Sequence, residues 1–251
     1  MTPAAHIEQL SVFFAGREVV RSVDLILPAG GVTVIIGRSG SGKTTFLRAF
    51  NRLNEELPDC QTTGSLSLDL GQGPEPIYGA HTRPLTELRL KAGMVFQTPN
   101  VLPVSIERNI SMPLELLTKT PRAELRDKVQ ESLMAVGLWE QVQHRLSTQA
   151  STLSGGQQQR LCLARTLALE PRVLLLDEPT ASLDAPSAKE IEQLLLRLAQ
   201  SYTVIMVSHS LAQARRMADR MLIFDSGRLS HFLHDPKDRH EESLMELLED
   251  F

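Results

Sequence analysis

Residues 37–45 read Gly-Arg-Ser-Gly-Ser-Gly-Lys-Thr-Thr, which fits the spacing G-x-x-x-x-G-K-[ST]. Glycines in such a loop let backbone N–H groups wrap a β-phosphate where a Cβ would intrude. Gly37, Arg38, Ser39, Gly40, Ser41, Gly42 and Thr45 are therefore expected to bind a nucleotide. Lys43 supplies a point charge for the β- and γ-phosphates, and the Thr44 hydroxyl suits coordination of Mg2+. The flanking residues agree, because the loop follows the apolar run 32–36 and precedes a helical pattern.

A second run, Val-Leu-Leu-Leu-Asp-Glu, ends in Asp177 and Glu178. Side chains alternate along a strand, so neighbours at its end can take different tasks. Asp177 is assigned to the metal shell, and Glu178 to polarising an attacking water as general base. Gln97 follows the strand-like Gly-Met-Val-Phe; it either reaches the metal and the lytic water or is a capping or loop glutamine. His209 closes the run Thr-Val-Ile-Met-Val-Ser-His. Ligands bind at the carboxyl ends of parallel strands, so His209 is either a γ-phosphate sensor or a structural histidine. Phe14, 23 residues before Gly37, either stacks on a base or packs in the core. Phe13 alternates to the other face and is the expected core residue. A further anion-suited segment, Leu-Ser-Gly-Gly-Gln-Gln-Gln-Arg at 153–160, opens a helical pattern with small polar residues. One chain has no need of two cradles for one phosphate.

The elements that must position these residues alternate between strand and helix. Strands are expected at 7–14, 18–27, 32–36, 92–97, 172–178 and 202–209, with a hairpin over 220–232 turning at Ser226 and Gly227. Helices are expected at 43–53, after residue 154, and at 185–200 and 211–218. Between residues 54 and 82 the sequence is irregular apart from a short strand at 65–70. Helical patterns dominate 105–149, at 105–117 and then at 121–137 with a proline start and a glycine stop. The expected fold class is α/β with a mostly parallel core sheet. It is organised as a single domain over 1–251, with a catalytic core at 1–100 and 150–251, a helical subdomain at about 101–149, and an N-terminal antiparallel β-subdomain. Residues 240–251 read as an amphipathic helix that packs on its own domain or on a twin subunit.

Composition narrows the function. With 251 residues, a net charge of −4 and a pI near 6.0, the chain lacks the basic surface of a general nucleic-acid binder. Cys60 and Cys162 match no zinc spacing and fit reduced thiols in a cytosolic protein. No charged segment followed by an apolar run marks a signal peptide at the N-terminus. No apolar run approaches the ~18 residues that span a bilayer, so any membrane role is expected through a partner.

In their order and spacing, the 37–45 loop, Gln97, Leu-Ser-Gly-Gly-Gln, Val-Leu-Leu-Leu-Asp-Glu, Ala-Ser-Leu-Asp and His209 resemble the ATP-binding subunit of an ABC transporter, a P-loop NTPase fold. The resemblance runs over nearly the whole chain. It implies ATP and Mg2+ as cofactors, and a head-to-tail homodimer in the ATP-bound state. Each ATP is then sandwiched between the loop of one subunit and the Leu-Ser-Gly-Gly-Gln segment of the other. Ser154, Gly155, Gly156 and Gln157 would close the partner's nucleotide, and Asp184 would couple the two sites. Thr44, Gln97 and Asp177 would hold the metal, Glu178 would be the base and His209 the switch residue.

Residues 50–54, 94–110, 137–146 and 202–214 further resemble the ATPase of the bacterial phosphate importer, in which the Phe14 position is usually a tyrosine. The implied function is ATP hydrolysis driving uptake of an inorganic anion, most readily phosphate. The implied partners are separate transmembrane permease subunits and, indirectly, a solute-binding protein, with no nucleic acid. The implied place is peripheral, on the cytoplasmic face of the inner membrane, with docking between Gln97 and about Ile110. The rival readings are an importer ATPase for another solute, a soluble non-transport ABC ATPase, and a small-molecule kinase on the same loop. A kinase has no use for the Leu-Ser-Gly-Gly-Gln segment.

Overall fold

The computed structural model describes residues 3–80 and 82–236. The segment 240–251, expected as a terminal helix, lies outside the described residues. The longest apolar runs form the centre of a six-stranded sheet. It comprises β3 (Val32–Gly37), β6 (Ala92–Val95), β7 (Val173–Asp177), β8 (Thr203–Val207), β9 (Arg220–Asp225) and β10 (Arg228–His234). Their order is β10-β9-β3-β8-β7-β6, parallel throughout except for the β9–β10 hairpin. That hairpin turns at Ser226 and Gly227, both at positive φ, as a two-residue turn matched to strand twist requires.

Every residue of β7 and β8 is buried, because the sheet is covered on both faces. Leu174, Leu176, Val204 and Met206 face one apolar cluster, shared with α3 (Ile106–Pro113), α4 (Leu125–Ala135), α6 (Gly155–Leu167) and α7 (Ala185–Leu198). Val173, Leu175, Ile205 and Val207 face the other. There they meet α1 (Lys43–Ala49) and a four-stranded antiparallel sheet. The strands of that second sheet are β1 (Pro3–Phe14), β2 (Arg17–Pro28), β4 (Cys60–Asp69) and β5 (Pro74–Pro76), in the order β2-β1-β4-β5.

The helical segment leaves and rejoins the core at one place. Ile106 N–H donates to Thr148 O at 3.0 Å, and Ala150 N–H donates to Val104 O at 3.0 Å. Within it lie α3, α4 and the single turn α5 (Trp139–Val142). The remaining helices are α2 (Leu85–Lys91) and α8 (Leu211–Met217).

Several elements depart from the sequence expectation. The helix expected over 43–53 stops at Ala49, because Arg52 adopts a left-handed φ of 55° before a 3-10 turn at Leu53–Glu56. The Asn54 amide then donates back to Thr45 O at 2.8 Å. Half of β4 falls in the stretch read as irregular; its ladder comes from β1, which local sequence cannot announce. The seven-residue α2 has one buried side chain, Leu88, too little for a readable period. The helix expected over 105–117 changes at Pro113, which has no N–H to donate, and continues as a π turn over Leu114–Thr118. The helix expected from 121 begins at Leu125 and runs to Ala135, and Gly137, with φ 67°, supplies the expected stop.

The placement of Phe13 and Phe14 is reversed. An irregularity around Gln9, whose φ is 47°, inserts one residue into the alternation of β1. Ile7 faces inward, but after it Leu10 and Val12 do, so Phe14 packs against the core and Phe13 does not.

Phe46 is the hub of the second cluster, fully buried, 4.8 Å from the Phe224 ring and edge-on to Phe50 at 5.3 Å. Phe46→Ala is expected to cost about 3–5 kcal/mol of unfolding free energy. Urea denaturation should show the midpoint fall with the slope unchanged.

Candidate functional site

Four adjacent parallel strands deliver the candidate residues to one rim. The 37–45 loop follows β3, His209 follows β8, Asp177 ends β7 with Glu178 next to it, and Gln97 follows β6. The carboxyl edge of such a sheet is where ligands bind. A cleft of about 640 Å3 opens there, lined by Ser39, Gly40, Gly42, Lys43, Thr44 and Thr45 together with Gln97, Glu178 and His209. Val19 of β2 also lines it, and nothing in the sequence marked that residue.

The loop is held by close backbone approaches. A Cβ on Gly37 would stand 2.0 Å from the carbonyl oxygen of Phe224 on β9. Gly42 caps α1 at φ 98° with no side-chain cap, and a Cβ there would lie 2.8 Å from Val19 O. The first N–H groups of α1 therefore carry no side-chain acceptor and suit a phosphate. Lys43 is buried and donates to Gly37 O at 2.8 Å and Arg38 O at 2.7 Å. Burial pushes its ammonium pKa down, opposed by the charges of Glu178 and Asp177.

Asp177 is buried beside two donors. Thr44 Oγ1 donates to its Oδ1 at 2.8 Å, and an Arg48 guanidinium nitrogen lies 3.6 Å from Oδ2. Burial raises its pKa, offset in part by the Thr44 hydrogen bond and then by Arg48. The hydroxyl and the carboxylate meet as hard oxygen donors, the chemistry Mg2+ prefers. Arg48 was not singled out in the sequence, although its spacing of one helical turn from Thr44 is a usable signal.

Glu178 sits at a left-handed φ of 46°, a conformation that costs roughly 1–3 kcal/mol outside glycine and persists where the surroundings hold it. Its N–H donates to Val207 O at 3.2 Å. Its Oε2 lies 2.9 Å from His209 Nδ1, and the exposed histidine leans over the sheltered carboxylate. An ionised Glu178 accepts from Nδ1–H, which leaves Nε2 free for a second partner.

The other predicted residues lie outside this cleft. Ser154 caps α6 and forms a reciprocal box with Gln157: Gln157 N–H donates to Ser154 Oγ at 3.4 Å, and Ser154 N–H to Gln157 Oε1 at 3.1 Å. Ser154 and Gly155 are exposed, whereas Gly156 is buried against α7, where a Cβ would come within 2.9 Å of Ser187. Asp184 is exposed and caps α7 by accepting from Ser187 N–H at 3.2 Å, and hydrogen bonds from Ser187 hold its carboxyl below the usual range. The segments carrying Gly156 and Asp184 therefore touch each other within one chain. Phe14 does not line the cleft.

The ABC transporter family profile matches residues 20–181. Phosphate import ATP-binding protein PstB 2 of Mycobacterium tuberculosis is 45% identical over 227 residues, which are 90% of this chain and 80% of that protein. PstB 1 of Enterococcus faecalis is 43% identical over 225 residues, 90% of this chain and 87% of its own length. Among solved structures, cbiO1 from Clostridium perfringens, part of the ABC transporter complex cbiONQ, superposes with a TM-score of 0.81 at 27% identity; the alignment covers 98% of this chain and 92% of that one. A dimeric ATP-binding cassette in a post-hydrolysis state bound to ADP and Pi superposes with a TM-score of 0.75 at 28% identity, covering 92% and 98%.

Gly37→Ala must displace either the loop or β9. It is expected to lower stability by about 2 kcal/mol, in the range of overpacked sites, and to weaken nucleotide binding. Urea denaturation and titration with a fluorescent ATP analogue check both effects.

Proposed function

Because the chain belongs to the ABC transporter family, we propose that it is the ATP-hydrolysing subunit of an importer whose solute is phosphate. The observation that carries the reading is a half-site. Most of the phosphate loop, Gln97, Glu178 and His209 line one cleft, with Asp177 buried just behind Thr44, while Ser154 and Asp184 are exposed and form no part of it. The curated relatives supply the solute, since they are named for phosphate import.

In this reading the α1 N-terminus and Lys43 bind the β- and γ-phosphates, with Lys43 exchanging its two backbone carbonyls for phosphate oxygens. Thr44, Asp177 and Gln97 would hold Mg2+, whose charge neutralises the phosphates in the transition state. Glu178 accepts a proton from water as that water attacks the γ-phosphorus and the bond to ADP breaks. His209, held by Glu178 through Nδ1, directs Nε2 toward the γ-phosphate. A second copy completes the site, with Ser154, Gly156 and Gln157 closing over the nucleotide and Asp184 linking the two sites. A dimer closed on two ATP molecules then moves separate permease subunits, and hydrolysis resets it.

No helix among the described residues is long and apolar enough to cross a membrane; in this reading the subunit is held peripherally at the cytoplasmic face by its permease partners. A groove of about 320 Å3 takes Asn100 and Leu102 from the expected docking segment and Pro113, Leu117 and Arg165 from outside it, and suits a permease segment. Residues 1–251 act as one ATPase unit, with 101–149 as its helical subdomain.

Glu178→Gln is expected to bind ATP within about threefold of the wild type, to lose at least about a hundredfold in turnover, and to accumulate as an ATP-dependent dimer on size-exclusion chromatography. Wild-type turnover would refute the base assignment. Ser154→Arg is expected to leave ATP affinity of the isolated subunit unchanged while turnover is abolished. A parallel loss of single-subunit affinity would sink the composite site.

A further inference from the structure

Gln213, the third residue of α8, is buried, with 6% of its surface exposed, and lines no part of the cleft. Its side chain nevertheless meets both segments that carry the reacting groups. Oε1 accepts from the Ser208 hydroxyl at 2.7 Å. Nε2 donates to Thr180 Oγ1 at 2.7 Å and to Glu192 Oε1 of α7 at 3.0 Å. The main-chain N–H of Gln213 donates to Ser210 Oγ at 3.2 Å. One residue therefore grips both neighbours of His209 and the residue two beyond Glu178. Glu192 is anchored in turn by the Arg216 guanidinium at 2.9 Å.

We infer that Gln213 is a positioning residue for hydrolysis, clamping the Glu178 and His209 segments in the register that gives their 2.9 Å contact. The inference rests on the proposed roles of Glu178 and His209. Glu178 holds a left-handed backbone that neighbouring contacts must maintain, and the clamp at Thr180 is one of them. Only an amide fits the clamp as it stands. Oε1 must accept from a hydroxyl, while Nε2 must donate to a carboxylate and to a hydroxyl oxygen. In Gln213→Glu, two carboxylates would face each other where one hydrogen bond now stands. Exchanging the pair, Glu192→Gln with Gln213→Glu, restores the hydrogen bond between residues 192 and 213, while Arg216 gives up its 2.9 Å contact to Oε1 and keeps those to the other oxygen at 3.2 and 3.3 Å. Ser208, Thr180 and the new amide donate to the carboxylate at 213, and Arg216 donates to the amide oxygen at 192.

The test uses the full chain and steady-state ATP hydrolysis. Gln213→Glu is expected to lower kcat by about tenfold to a hundredfold, the scale of a small misplacement of reacting groups. The ATP KM should stay within about twofold, because the phosphate loop is untouched. The exchange pair is expected to recover most of kcat, and its recovery stands as the test even where Gln213→Glu folds poorly. Wild-type kcat in Gln213→Glu, a loss confined to KM, or an exchange pair no better than the single variant would each overturn the clamp. Glu178→Gln measured alongside separates the two ideas. If Glu178→Gln turns over normally, the base assignment fails; if it is inactive while Gln213→Glu turns over normally, the clamp alone fails.

Discussion

Burial of the parallel sheet on both faces is the constraint on which the site depends. Strands β3, β8 and β7 carry apolar side chains up and down because helices cover one face and the antiparallel sheet the other. Parallel strands with helical crossovers all point the same way, so their carboxyl ends share one rim. The chemistry collects there because the apolar runs end there. Asp177 follows four consecutive buried apolar residues of β7, and His209 stands two positions past the last residue of β8.

The same burial sets the electrostatics. Lys43 and Asp177 are both pulled out of water, and burial pushes each toward its neutral form. Each is kept useful by the other's neighbourhood: Asp177 and Glu178 favour the ammonium, and Thr44, Arg48 and Lys43 favour the carboxylate. A polyphosphate and a divalent cation entering such a cleft meet charges already stripped of water, in a medium where Coulomb interactions weaken little. The two backbone carbonyls that hold Lys43 keep the ammonium satisfied in the meantime.

Helix α7 joins the segments that carry the two groups of candidate residues. Its N-terminus carries Asp184 and packs Ser187 against Gly156 of α6, and its middle offers Glu192 to the Gln213 amide. The surface segment at Ser154 is thus connected, through the Gly156–Ser187 packing, α7 and the Glu192–Gln213 hydrogen bonds, to the loops at Glu178 and His209. Gly156 has a packing role beside the one the sequence suggested, since any larger residue would separate α6 from α7.

Most of the candidate site was legible in one dimension. Gly37, Lys43, Thr44, Asp177 and Glu178 are marked by local spacing and by the apolar runs that precede them, because a strand followed by a glycine loop and a helix is a local structure. The same holds for the β9–β10 turn and for the glycine stop at Gly137. What the sequence could not decide depends on contacts between distant segments. The first half of β4 exists because β1 offers it a ladder, and Phe14 rather than Phe13 turns inward because an irregularity at Gln9 resets the alternation. Gln97 and His209 are brought to one cleft by strand order, and Val19 joins them from another sheet. Gln213 reads as an ordinary helix glutamine until Thr180, Glu192 and Ser208 are seen around it. Spacing along the chain determined which residues can do chemistry; the packing of strands and helices decided which of them meet, because side-chain contacts across a core are set by sheet order and register rather than by neighbours in sequence.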